Sequence, residues 1–467
     1  MVRTFATHRI RKTQELSSCL WDFETLPEEG GTVGETAGGK EAAPGKGTAP
    51  VKMKTAVPGC WENCPDTLTY RGKAVYERRF ACEGNIRLEF KGVSHTAQVY
   101  LDDMRIAEHY NAYTPFSAVV KELPAGEHTL RVYVDNSFGP DSALHVPNDY
   151  QTYGGITRPV VLEELKDAYL TKLHFTPLRR DGQWYFVIKG EVKNLSAAPF
   201  EGRILLSLGE ETVAEAAVRA EGNGVCGFET EETLFPQAQE WWPENPVLYL
   251  LLDAQGRETD DLIDRAGFRE VRIEGKDILL NGRKLRIKGF CRHEDHPQFG
   301  CALPFAAMQQ DLLLMKDMGA NSVRTSHYPN DEIFLDLCDE TGMLVWEENH
   351  ARGLSEENMR NPNFERQCED CIREMIEAHY NHPSIYIWGI LNECASHTEY
   401  GKECYRKQYE LIRQLDQSRP RSSASCQFKT DICFGLPEVV SYNIYPLWYH
   451  DTPVQDYLKG LYDWVQE

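Results

Sequence analysis

No stretch of the chain approaches the ~20 consecutive apolar residues that a bilayer-spanning helix needs. The opening residues, MVRTFATHRIRKTQELSSC, hold no apolar core of the kind a secretory leader requires, so a cytoplasmic location is expected. Positive charge is also short. Lys and Arg number 50 against 72 Asp and Glu, a formal net charge of −22. That balance argues against nucleic acid and anionic membrane as partners, because their fields repel such a chain. The 14 cysteines lack organisation rather than number. They are scattered, so reduced thiols are the default. Cys368 and Cys371 form a C-x-x-C on a predicted helix without a βαβ redox context, and Cys60 and Cys64 flank WEN with no metal-type pattern.

What the sequence does have is length and apolar content. Its 467 residues, 41% of them apolar, suit two to four domains. Residues 1–164 carry short alternating runs such as AVYERRF, IRLEFKGV and HTLRVYVD, each bounded by turn residues. That pattern predicts an N-terminal β-sandwich. Inside it, Pro27–Pro50 is too rich in Gly, Ala, Pro and charge to build a core and reads as a flexible surface loop. Residues 165–271 repeat the all-β pattern at spacings that suit an immunoglobulin-like β-sandwich, with EWWPENP as an aromatic corner. From residue 272 to 467 strands alternate with helices. KLRIKGF, NSVRTSHY, MLVWEEN, SIYIWGILNE, RSSASCQ and EVVSYNIYP read as strands, with helical stretches between them. Gly319 and Gly342 stand where two of these helices should stop. Six βα units in succession predict a parallel sheet and point to a (β/α)8 TIM barrel short of two units.

In such barrels function sits at the C-terminal ends of the strands. The strand ends here are Arg292, His293, Glu294 and Asp295; then Arg324, Ser326, His327 and Tyr328; then Glu347, Glu348 and Asn349; then Asn392 and Glu393. The sixth ends on Asn443 and Tyr445, with Trp448 and Tyr449 just beyond. Strand ends are polar wherever they meet loops, so no single residue decides the matter. The set is more informative. Carboxylates beside aromatic rings suit sugars, whose C–H faces stack while their hydroxyls form hydrogen bonds. Glycoside hydrolysis needs one carboxyl that protonates the leaving oxygen and a second that attacks or activates water. Glu393, following the apolar run IYIWGIL, is placed to keep a proton, and Asn392 to donate to the 2-hydroxyl.

The segments IKGFCRHEDHPQFG, MKDMGANSVRTSHYPNDEIFLDLCDETGMLVWEE and NHPSIYIWGILNE resemble glycoside hydrolase family 2, the family of bacterial β-galactosidases and β-glucuronidases. DYQTYGGITRPVVLEEL resembles the end of that family's N-terminal sugar-binding jelly roll. The resemblance implies Glu393 as general acid/base and Asn392 as its 2-hydroxyl partner. It places His293 and His327 along the sugar site and Asp149 as a residue lent by the sandwich domain. YNIYPLWYHD resembles the glucuronidase loop, in which Asn443, Tyr445 and Tyr449 surround the nucleophile and the uronate. The implied activity is a retaining exo-β-glycosidase acting on terminal β-linked uronides, of β-glucuronidase or β-galacturonidase type. A β-galactosidase of the same family is the alternative. Carbohydrate is the expected partner, and a homo-oligomer the expected assembly. No cofactor is expected, and magnesium only in a β-galactosidase-like site, because WEENHARG departs from the pattern that holds that ion. Glu347 and Glu348 should instead bond Arg324 or Arg352, and Asp295 should orient His293.

The same resemblance implies a nucleophilic glutamate at the end of a seventh strand and an Asn-x-Lys motif beyond it. Neither occurs in the residues up to Glu467, which ends a helical run and is not assigned the role. The expectation is therefore a truncated barrel with little or no hydrolysis by itself. A non-catalytic carbohydrate-binding protein is the reading if the chain is whole.

Overall fold

The computed structural model describes residues 3–26, 49–254, 259–449 and 451–466. Most of the predicted Pro27–Pro50 loop lies outside the described residues, as does Glu467.

The first unit is an eight-stranded antiparallel sheet built around two long strands, Lys73–Phe90 and Phe116–Asp135. Register shifts on either side of Gly84, whose φ is +75°, interrupt their pairing. Such bulges bend a strand and increase its twist. Alternation then selects the core. Ile86, Leu88 and Phe90 are fully buried against Trp21, Trp61 and Val132.

The second unit is two four-stranded antiparallel sheets. They enclose Phe175, Phe186, Ile204, Leu206, Phe235 and Phe268. Phe268 stacks on Phe235 at 5.4 Å and takes the edges of Phe175 and Tyr249 at 5.2 and 5.4 Å. These are the offset and edge-on geometries that aromatic quadrupoles favour.

The third unit is a sheet of six parallel strands in consecutive order: Gly289–Arg292, Ser322–Thr325, Leu344–Glu348, Ile385–Ile390, Arg421–Ser425 and Val439–Tyr442. The helices are α1 (Phe305–Asp317), α2 (Glu332–Thr341), α3 (Glu356–Met359), α4 (Phe364–His379), α5 (Glu399–Leu415) and α6 (Val454–Gln466). The predicted stop of α2 is confirmed: Gly342 has φ +71°, and a Cβ there would lie 2.0 Å from the Pro243 carbonyl oxygen.

One strand differs from expectation. KLRIKGF was expected to open the barrel, yet Arg283–Lys284 pairs antiparallel with Asp277–Leu280, and the first parallel strand begins at Gly289. The cause is Asn281-Gly282, with φ +49° and +77°, which makes a two-residue hairpin turn. The aromatic corner at 240–246 is a small hairpin whose Trp241 is fully buried and donates from Nε1 to the Asp339 carbonyl at 3.0 Å. It packs with Leu344 and Ile387 near the N-terminal ends of the third and fourth barrel strands.

The strand Ile385–Ile390 is buried at every residue. That is how a parallel strand covered on both faces reads. Gly389 has a specific reason to lack a side chain. A Cβ there would lie 2.3 Å from Trp346 Nε1 and 2.6 Å from Glu348 Cβ.

Candidate active site

Beyond Ile390 the fourth strand leaves regular geometry. Leu391 and Glu393 have φ of +39° and +54°, left-handed values that cost a non-glycine residue energy. Neighbouring loops hold the distortion in place. Asn392 N–H donates to the Ala351 carbonyl, Glu393 N–H donates to the Ala424 carbonyl, and Gly353 N–H donates to the Asn392 carbonyl, at 2.8 to 2.9 Å. The carboxyl of Glu393 is thereby half-buried at the rim while Asn392 is almost wholly buried.

Arg324 connects the strand ends beneath this rim. It donates from Nε and Nη2 to the two oxygens of Glu348 at 2.8 and 2.9 Å. Nη2 also donates to Asn392 Oδ1 at 2.8 Å, and Nη1 to Asn443 Oδ1 at 3.3 Å. Asn443 Nδ2 in turn donates to Asn392 Oδ1 at 2.9 Å and to Glu393 Oε1 at 2.6 Å. The oxygen of Asn392 is therefore committed to two donors, and its NH2 is the end available to donate to a ligand hydroxyl. Burial pushes the Glu348 carboxyl up, but Arg324 and His327 outweigh it and hold it down to about 2. His327 Nδ1 lies 2.7 Å from Glu348 Oε1, which leaves Nε2 for a ligand. Burial and the neighbouring His327 lower His293 to about 4, so it stands neutral at pH 7.

Asp149, His293, His327, Asn392, Glu393, Asn443, Tyr445, Trp448 and Tyr449 all line one cavity of about 580 Å³. The structure thus brings these nine residues together, while Arg292, Glu294, Asp295, Arg324, Glu347 and Glu348 of the strand ends lie outside the lining. It adds Arg352, Cys426, Phe428 and Tyr457, which sequence reasoning missed as site residues. Trp448 is 79% exposed and Tyr449 67%, so the wall beyond the sixth strand presents bare aromatic surface. Asp149 reaches in from the first unit and accepts from Arg352 Nη2 at 2.8 Å. Arg352 is the one guanidinium in the lining among the described residues.

Two expected contacts are corrected. Asp295 does not orient His293. It accepts the Tyr153 hydroxyl at 2.6 Å, while His293 Nδ1 faces the Tyr328 hydroxyl at 3.2 Å. The side chain of Asp295 is drawn outward by a neighbour on the first unit that no barrel pattern reveals. Glu347 pairs with neither arginine; both its oxygens lie within 3.1 Å of His379 Nδ1.

Behind the cavity the first unit is locked to the barrel. Arg158 donates to Glu294 Oε2 at 2.8 Å and to the Pro329 carbonyl at 2.7 Å, and Tyr113 stacks on Tyr328 at 3.9 Å. Beside them His145 packs on His95 and on His350, each at 4.4 Å between ring centres. Burial lowers His95 and His350 to about 4 and His145 well below its ordinary value. Unfolded imidazoles titrate near 6.5. Between that value and about 4 the unfolded chain therefore binds more protons at these rings, and stability falls as pH falls. Glu62 and Asp331, raised by burial to about 7 and about 6, act in the opposite sense. His128 and His382, raised by their partners Asp102 and Asp339, also act in that opposite sense. The expected sign is that of the more numerous lowered imidazoles, His293, His95, His145, His350 and His174. The thermal midpoint is expected to drop between pH 7 and pH 4.5, and a melting series that stays level over that range would contradict the assignment.

Among the described residues no helix is long and apolar enough to cross a membrane. The family model for the TIM barrel domain of glycosyl hydrolases family 2 matches residues 271–466. That for the glycosyl hydrolase 2 galactose-binding domain-like unit matches residues 63–164. A crystal structure of a family 2 β-galacturonidase from Eisenbergiella tayi bound to galacturonate superposes with a TM-score of 0.93 at 64% identity, covering 100% of this chain and 81% of that one. A β-galactosidase of Thermoanaerobacter pseudethanolicus is 30% identical over 75% of this chain and 46% of its own length. A β-glucuronidase of Bacteroides fragilis is 27% identical over 82% of this chain and 57% of its own length. The chain spans about half the length of the curated relatives it matches. Matching models over the first and third units, together with 64% identity to a family 2 structure across all of this chain, lead to one conclusion: the chain belongs to glycoside hydrolase family 2.

Proposed function

We propose that this chain carries sugar-binding and acid/base groups of a retaining exo-β-glycosidase for terminal β-linked uronides, with galacturonides first. One observation carries the reading: Glu393, Asn392 and Arg352 line the same cavity. Glu393 protonates the glycosidic oxygen, and Asn392 donates to the 2-hydroxyl. Arg352 supplies the positive charge that a uronate carboxylate seeks. The likeness to a β-galacturonidase supports galacturonate over its epimer. The middle unit is read as immunoglobulin-like, the unit boundaries as 164/165 and 271/272, and the assembly as a homo-oligomer.

Double displacement requires a second carboxylate, about 5–5.5 Å from the first in retaining enzymes. Among the described residues the cavity lining offers Asp149, already paired with Arg352, so the nucleophile is not assigned. No metal step enters this reading. A cation would have to displace Arg324 and His327 from Glu348, and His379 from Glu347.

The test uses the full-length protein with p-nitrophenyl β-D-galacturonide, β-D-glucuronide and β-D-galactoside. Turnover of the galacturonide above the other two is expected. Turnover of the galactoside alone would sink the uronide assignment, and binding of galacturonate without turnover of any substrate would favour a carbohydrate-binding role. Arg352→Ala removes a charge-assisted contact of about 1.5–3 kcal/mol, so the uronide KM is expected to rise by roughly tenfold to a hundredfold. Equal KM values for wild type and variant would remove Arg352 from uronate recognition.

A further inference from the structure

A second feature lies outside the cavity. Cys60, on the first unit, and Cys301, on the loop after the first barrel strand, place their Sγ atoms 3.6 Å apart. Both are free thiols. Cys60 is 2% exposed, whereas Cys301 is half-buried. The approach is built into the loop. Gly300 takes φ +57°, and a Cβ there would lie 2.9 Å from Cys60 Sγ and 2.9 Å from the Tyr153 ring. The Tyr153 hydroxyl donates to Asp295 at 2.6 Å, so the same loop is fastened to the first unit at two points.

We propose that Cys60 and Cys301 are an oxidisable thiol pair that closes to a disulfide between the first unit and the barrel rim. The oxidant is a low-molecular-weight disulfide. Cys301, the more exposed partner, loses its proton and attacks one sulfur of that disulfide, forming a mixed disulfide and releasing one small thiol. Cys60 then loses its proton and attacks the Cys301 sulfur, forming the Cys60–Cys301 bond and releasing the second small thiol. Two protein thiols are oxidised and one small disulfide is reduced to two thiols. The hydrogen bond with Cys60 and burial both push the Cys301 thiol well above its ordinary value, so the reaction speeds up as pH rises. The bond fastens the loop that follows His293 to Cys60 of the first unit, beside the Tyr153 ring.

The reduced full-length protein is exposed to oxidised glutathione, alkylated, digested without reductant and mapped by mass spectrometry. A linked peptide joining Cys60 to Cys301 is expected, with two thiols lost and a thermal midpoint raised by several degrees until reductant is added. Cys301→Ser and Cys301→Ala, at a half-buried position, should fold and show neither the linked peptide nor the shift. Survival of both thiols, glutathione retained on Cys301, or linkage to another cysteine would each overturn the proposal.

Discussion

Glu393→Gln in the full-length protein is expected to slow hydrolysis of uronides with poor leaving groups by about 10²–10⁴-fold, the contribution of a positioned general acid. The amide can still accept from Asn443 Nδ2 at the place where Glu393 Oε1 now accepts, so the backbone and the cavity should persist. What is lost is the proton for the departing oxygen. An alkyl or sugar leaving group depends on that proton, and a nitrophenolate depends on it far less. The prediction is therefore a widening gap between the two substrate types, read as kcat/KM for matched alkyl and p-nitrophenyl β-D-galacturonides. A uniform loss on both would assign Glu393 to binding. Unchanged rates on both would remove it from the acid role.

Arg324→Leu is expected to destabilise the fold by about 3–5 kcal/mol. Its guanidinium is 11% exposed and Glu348 1%, so the substitution leaves a buried carboxylate facing only His327. With Arg324 gone, burial raises the Glu348 carboxyl, and the cost takes the form of proton uptake or an uncompensated charge. The double variant Arg324→Leu with Glu348→Leu should recover part of the loss, because removing both partners leaves no orphaned charge. Denaturant unfolding measures both. A single variant within 1 kcal/mol of wild type would show that the network does not hold the strand ends. Should Arg324→Leu not fold, Arg324→Lys keeps the charge and loses the two-pronged contact, and its own deficit tests the same point.

The site was legible in the sequence where function coincides with strand ends. Asn392-Glu393, His327 and Asn443 follow runs of strand length, apolar throughout only before Asn392, and the barrel topology then brings them to one rim. Arg352 was not legible as a site residue. It sits in a loop whose path depends on the bridge between its backbone and that of Asn392, and no periodicity encodes such a contact. Asp295 failed for a related reason: its partner Tyr153 lies 142 residues away on another unit. The first barrel strand begins later than the alternation in KLRIKGF suggests, because Asn281-Gly282, the stronger local signal, makes a hairpin that claims Arg283–Lys284. Cys60 has Cys64 as its neighbour in the sequence, whereas the thiol it meets in the fold is Cys301. Local pattern finds elements and their ends. Contacts between units are set by how the cores meet.

Asp149 and Glu393 share one cavity but come from different units, and the segment that leads to Asp149 packs on the barrel's own core through Ala143 and Leu144. The proposed acid and a proposed judge of the substrate therefore draw on one stability reserve. Inherited changes in residues 148–153 are felt at the barrel rim, where Asp149 meets Arg352 and Tyr153 meets Asp295. On such an arrangement a family that changes its diet must also steady the footing of its chemistry.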